Sequence, residues 1–530
     1  MLKTMLRTTA AVLALTVAAS LADARPIKWA RSGDALTLDP HSQNEGPTSN
    51  ILHQLYEPLI QRAADGSLRP TLATSWKVTA DPAVWEFKLR QGVKFHAGEP
   101  LVAEDVAFSI TRAMHANSGM RGLLTSIDSV TAVDANTVHI KTKGPNPLLP
   151  SYLTNIMIMS KSWATANGAE IPQDFKEKKD NAAVRNVNGT GAYTLVSREQ
   201  DVKTVMKKND AYWGKGEFKH GITEITYLVI KSDATRVAAL LSGEVDIVQD
   251  MPVQDIERLE KSPGFRVNLG PENRSIFLGV NVDPAPVAST DVKDKNPFAD
   301  KRVRKAINLA IDREAIKRAV MRGQSIPAGS IVPPFVNGYT KEMDAVPKVD
   351  LDGAKKLLTE AGLPNGFSAR LDCPNDRYVS DEGICQAVSA MLAKVGIKIT
   401  LNSQSKTKHF PLIEKNPPET DFFLLGWGVP TYDSHYIFTF LYGGREGKEG
   451  AFNGTRLNNP EINKKIQSLT SETDLAKRNA TIAELWKTLH EETIYIPLHN
   501  QTLAYAMKDT WNLPVSPENR IDMKLYEPVK

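Results

Sequence analysis

The residues of this chain that are able to do chemistry are scattered, and their spacing excludes more than it suggests. The 530 residues include ten histidines and two cysteines. No two histidines share a metal-ligand spacing on one helix face, and His41 and His96 read as structural. Cys373 and Cys385 have eleven residues between them, which is not a zinc spacing, and two ligands leave a tetrahedral zinc site half filled. Asn188-Gly189-Thr190-Gly191 lacks the Gly-Lys-Ser/Thr of a phosphate loop and reads as a tight turn before a strand. No G-x-S-x-G elbow is present to raise a serine nucleophile, and no matched carboxylate pair stands out. A secreted hydrolase is therefore the weaker reading, and no cofactor is expected.

What remains are groups suited to holding a small polar molecule. Arg377, in Pro374-Asn375-Asp376-Arg377-Tyr378, follows a predicted strand and carries a planar fork that matches a carboxylate. An interlobe or surface ion pair is the equal alternative for it. Trp427 and Gly428 end the apolar run Phe422-Phe423-Leu424-Leu425, at a strand end where clefts form in α/β sheets. Core filler is the competing role for Trp427. Asn44, Glu45 and Gly46 form a polar loop after the first strand.

The first residues set the compartment. Lys3 and Arg7 precede an apolar run, Ala10 to Ala19, and Ala22 and Ala24 flank Asp23 in a cleavage-site pattern. Residues 1–24 are read as a cleaved signal peptide, because the run is shorter than the ~20 apolar residues a membrane span needs. No cysteine stands there to take a lipid. Removing Lys3, Arg7 and Asp23 takes 65 basic and 61 acidic residues to 63 and 60. That balance does not suit nucleic acid or a membrane surface. In the oxidising periplasm, Cys373 and Cys385 are expected to form a disulfide.

The elements that must position these groups alternate between strand and helix. Trp85–Leu89 and Thr137–Lys141 alternate apolar and polar residues as half-buried strands do. Ala192–Val196 and Ile225–Ile230 continue in that style, and Ala103–Met114 reads as a helix with Glu104 and Asp105 at its positive end. Val303, Ile307, Ala310 and Ile311 recur at helical spacing, and Asp312 caps a second helix. Residues 354–361 and 384–395 are helices ended by Gly362 and Gly396. Ile397–Leu401 is a strand, and a helix through Ile482 and Leu489 leads into the strand Ile494–Ile496. The alternation predicts α/β layers with partly parallel sheets. The chain is too long for one core and implies two or three domains.

Eight strings in order carry a resemblance. They include Leu38-Asp39-Pro40-His41, Leu55-Tyr56-Glu57-Pro58-Leu59, Leu72-Ala73-Thr74-Ser75-Trp76 and the run Phe87 to Gly98. Asn188 to Tyr193, Asn209-Asp210-Ala211-Tyr212-Trp213 and Val303 to Arg313 follow. The chain resembles the family-5 extracellular solute-binding proteins, which serve ABC importers of dipeptides, oligopeptides and nickel. The resemblance implies a two-lobed α/β periplasmic binding fold of type II, with the ligand cleft between the lobes. Residues 25–272 plus 500–530 would form lobe I, with a strand-rich subdomain at about 77–185, and residues 273–499 lobe II. It further implies a monomer that closes on a peptide or other small molecule and docks on permease subunits of the inner membrane.

In similar peptide binders, the segment after Gly-Trp carries an aspartate for the ligand's ammonium. Here it reads Gly426-Trp427-Gly428-Val429-Pro430-Thr431-Tyr432-Asp433, with Pro430 at the expected position. Asp433 or Glu45 is then expected to supply the charge, or the ligand has no free α-amine. The ligand contacts expected are Trp427, Gly428, Pro430, Tyr432, Asp433, Arg377, Asn44, Glu45 and Gly46. A nickel chelate, an opine or another non-peptide solute is the alternative cargo.

Overall fold

The protein is described by a computed structural model covering residues 24–63, 65–175, 177–217, 221–375, 377–445 and 450–529. The signal-peptide reading therefore lies outside the described residues, apart from Ala24. Among the described residues no helix is long and apolar enough to cross a membrane.

An 11-stranded mixed sheet runs through the molecule. The strand Ala24–Arg31 lies between two parallel neighbours, Gly221–Val229 and Ile247–Val248. Two long strands, Phe265–Val280 and Tyr495–Lys508, pair antiparallel from Phe265 opposite Lys508 to Gly279 opposite Tyr495. Their two ends belong to different cores. Phe265, Val267, Ala504 and Ala506 pack with Ala30 and Leu240. Ile276, Leu278, Ile496 and Leu498 pack with Phe298, Leu371 and Val388. The pair is thus the double crossover between two lobes, and the fold is the two-lobed α/β arrangement expected.

The elements follow from their sequences. Asp300 caps the helix Lys301–Ala310 by accepting from the Arg302 amide at 2.9 Å. Gly362 and Gly396, at φ of +81° and +87°, end the helices before them in the left-handed conformation glycine tolerates. The helix Asp381–Ala393 joins the parallel strands Phe367–Pro374 and Ile397–Gln404. Cys373 and Cys385 are disulfide-bonded with Cα atoms 6.6 Å apart, tying that strand to that helix. A separate four-stranded sheet (Ala73–Val78, Val84–Leu89, Thr137–Thr142 and Ile127–Asp134) has its own core, in which Phe87, Val138 and Ile140 meet Val106 and Ile110 of the helix Ala103–Ala113.

Three local expectations change. The helix capped by Asp312 runs only from Arg313 to Ala315 and then widens into a π-helical turn, Ile316–Val320. The polar loop at Asn44 to Gly46 opens a helix, Gly46–Leu55, whose Pro47 sits in the first turn where its missing N–H costs nothing. The glycines of Asn188–Gly191 serve close packing rather than a tight turn. A Cβ on Gly189 would lie 2.1 Å from the Leu55 carbonyl, and one on Gly191 would lie 2.5 Å from that of Gln54.

Candidate functional site

A cavity of about 520 Å³ opens between the lobes. One side is built by Asn44, Glu45 and Gly46 at the start of the helix Gly46–Leu55, with Glu518 and Arg520. The other is Arg377, Tyr378 and the strand end Leu425–Pro430. The crossover supplies Glu272, Asn273 and Arg274 as the floor.

Trp427 sits at the end of the strand Phe422–Gly428, as its apolar run predicts, and is 9% exposed. Its ring stacks on Tyr436 with centroids 5.8 Å apart and packs at 5.0 Å on Phe452, which fixes it as one wall. Its indole Nε1 has no hydrogen-bond partner. A buried donor without an acceptor costs about 1–3 kcal/mol. The glycines beside it make room for others. A Cβ on Gly426 would lie 2.6 Å from the Tyr378 ring, and one on Gly428 would lie 3.4 Å from the Arg274 guanidinium.

The charges of the cavity are mostly paired within each lobe. Arg274 Nε donates to Glu272 at 3.1 Å, and that neighbour raises the arginine pKa against the opposing effect of burial. Glu272 also accepts from Gln501 at 2.5 Å. Arg520 pairs with Glu518 at 2.8 Å. Arg377 differs. Its guanidinium lies 5.0 Å over the Tyr378 ring and forms no ion pair among the described residues. Burial, then the positive charge of Arg274, hold its pKa below the ordinary arginine value. An anion placed between these two guanidinia would relieve their repulsion and match their fork geometry.

On the facing lobe, Glu45 is half-buried and caps its helix by accepting from the Thr48 amide at 2.7 Å. One carboxylate oxygen is committed to the cap and to the Thr48 hydroxyl. The other is available to the cavity.

Two expected contacts lie elsewhere. Tyr432, at φ +55°, is beneath the Arg62 guanidinium, 4.1 Å from Cζ to ring centroid. It joins the two lobes through Arg62 and does not line the cavity. Asp433 is 4% exposed and its carboxylate is occupied. Arg478 donates to it at 2.6 and 2.8 Å, Asn337 donates at 3.0 Å, and the His435 amide is capped at 2.9 Å. A buried guanidinium holds Asp433, and it is not among the residues lining the cavity. Pro430 does line the cavity, and its carbonyl accepts from Arg62 at 3.5 Å.

Sequence reasoning missed Glu272, Arg274, Glu518, Arg520 and the aromatic wall of Tyr436 and Phe452. One signal was readable: Glu272-Asn273-Arg274 stands just before the apolar run Ile276–Val280 of the crossover strand. Among the described residues no three His, Cys, Asp or Glu side chains gather as metal ligands.

The comparisons with known proteins agree with this fold. Residues 67–449 match the bacterial extracellular solute-binding proteins, family 5 middle. The glutathione-binding protein GsiB of Shigella boydii is 26% identical over 488 residues, covering 91% of this chain and 90% of that protein. AgaA of A. tumefaciens, solved with agropinic acid, is 24% identical with a TM-score of 0.73, over 95% of this chain and 98% of its own. DppA of Helicobacter pylori, solved with the peptide STSA, is 23% identical with a TM-score of 0.74, over 96% and 99%. The chain belongs to the bacterial extracellular solute-binding proteins of family 5.

Proposed function

We propose that the protein is the periplasmic substrate-binding component of an ABC importer and captures a small peptide-like solute by lobe closure. It is secreted through its cleaved N-terminal segment, acts as a monomer, and delivers its cargo to permease subunits in the inner membrane. The observation that carries the ligand class is Arg377, an unpaired guanidinium beside Arg274, set across the cavity from Glu45. A ligand carboxylate would sit at Arg377 and accept from Trp427 Nε1, while an ammonium would reach the free oxygen of Glu45. Each lobe then holds one end of a zwitterion, so binding favours the closed form. A cavity of about 520 Å³ falls within the roughly 300–1,000 Å³ of pockets that bury small ligands. Glutathione, peptides and agropinic acid, named for the relatives, all carry carboxylates.

Pro430 and the engagement of Asp433 favour a second reading, a carboxylate-bearing solute with no free α-amine. Calorimetric titration of the mature protein with dipeptides, glutathione and their N-acetylated forms tests the choice. Tight binding of the free amines and a tenfold or greater loss on acetylation supports the zwitterion. Equal binding of both forms supports the second reading. No binding of any carboxylate, with a neutral or cationic solute recovered from the periplasmic protein by mass spectrometry, overturns both.

A further inference from the structure

Behind the crossover strands lies a second cavity, of about 360 Å³, which the ligand site does not use. Three features place it on the far side of one partition. Glu272 lines the front cavity and Gln501 the rear one, and the Gln501 amide donates to Glu272 at 2.5 Å. Glu518 and Arg520 face the front while Asn519 between them, at φ +53° in a turn, faces the rear. In the neighbouring loop, Arg377 and Tyr378 face forward, and Val379 and Ser380 backward.

The rear cavity, like the front one, is walled by both lobes. Asp250 and Gln254 come from the first lobe, and Gln324 and Ser380 from the second. The first-lobe wall is rigid: Arg236, 2% exposed, donates to Asp233 at 2.6 Å and to the Asp250 carbonyl at 3.0 Å. On the front side Arg62 lies over Tyr432 and pairs with Glu518. Among the described residues, the paired strands Phe265–Val280 and Tyr495–Lys508 carry the chain between the lobes and separate the two cavities.

We infer that this rear cavity sets the open–closed equilibrium of the front site. Two bodies pivoting on a partition cannot open on one side without approaching on the other. Packed side chains do not interpenetrate, so whatever fills the rear space resists front opening. The two states of such a protein differ by a few kcal/mol, and a wedge that acts on one of them shifts the populations. The inference rests on the front cavity being the ligand site, but its test needs no ligand and so fails separately.

The test uses the mature chain carrying Arg62→Ala, which removes the contact with Tyr432, with Gln254→Trp or Gln324→Trp added as wedges. Small-angle X-ray scattering without ligand reads the radius of gyration, and circular dichroism confirms folding. Each wedge is expected to return the expanded Arg62→Ala protein toward the compact form. A radius equal to or larger than that of Arg62→Ala alone, in folded wedge variants, overturns the inference. A third arm places the wedge after folding, with Gln254→Cys modified by N-phenylmaleimide. Both native cysteines are in the disulfide, so the new thiol is the one modified. Compaction on modification supports the lever, and unchanged scattering overturns it.

Discussion

Arg478 grips Asp433 through both terminal nitrogens, at 2.6 and 2.8 Å, with side chains 2% and 6% exposed. The pair stands one turn of chain beyond Pro430 and holds the segment that forms the lower lip of the cavity. The two charges satisfy each other, so neither is available to a ligand. Asp433→Asn leaves the Arg478 charge buried without its counterion, which costs about 3–5 kcal/mol. The expected outcome is a clear drop in melting temperature, with ligand affinity of the remaining folded protein changed less than threefold. Calorimetry on the folded fraction checks this. A sharp loss of affinity with unchanged melting would return Asp433 to the site.

Arg377 predicts the opposite pattern. It forms no ion pair among the described residues, so Arg377→Ala removes little that holds the fold. Losing a charge-assisted contact to a ligand carboxylate costs roughly 1.5–3 kcal/mol, about 10- to 150-fold in affinity. Arg377→Lys keeps the charge but not the fork and should recover only part of it. Titration of the two variants beside thermal melts separates the effects. Equal affinity in all three proteins would show that the carboxylate sits elsewhere.

The contrast between these two residues shows what a sequence can carry. Trp427 and Gly428 were legible because an apolar run must be a buried strand, and a strand end borders a cleft. The cap Asp312 was legible because it acts on the next few residues. The partner of Asp433 is 45 positions away, on the helix Leu475–Glu492, and nothing local announces the pairing. Glu272 and Arg274 were hidden because they matter only where two distant strands cross. Local rules found the elements, whereas the site is assembled from contacts of long sequence separation.

The interlobe contact between Arg62 and Tyr432 gives a kinetic prediction. A cation over an aromatic ring contributes about 0.5–2 kcal/mol, and this one joins the two lobes, so it acts on the closed form alone. Tyr432→Ala should raise the ligand dissociation rate several-fold and leave the association rate nearly unchanged. Tyr432→Phe should keep the wild-type rate, because the ring faces the guanidinium. Stopped-flow displacement reads both. A dissociation rate unaltered by Tyr432→Ala would mean that the contact does not restrain opening.

Acid sensitivity follows from the histidines. Burial holds His41, His96, His435 and His499 at pKa values of about 4, against 6.5 when exposed. Above pH 6.5 both folded and unfolded chains carry them neutral. As the pH falls from about 6.5 to about 4 the unfolded chain takes up protons that the folded protein refuses, so stability declines throughout that window. Asp39 acts lower: hydrogen bonds and charge from Arg112 outweigh burial and hold it at about 2, so its contribution is lost as the pH falls from about 3.8 to 2. His499 offers the cleanest probe. It lies on the crossover strand Tyr495–Lys508, 2% exposed, with neither ring nitrogen hydrogen-bonded. Its replacement by an apolar residue of similar volume therefore breaks no polar contact. The denaturation midpoint of His499→Leu should fall less between pH 7 and pH 5 than that of the wild type. Parallel slopes for the two proteins would show that His499 is not among the groups whose protonation drives acid unfolding.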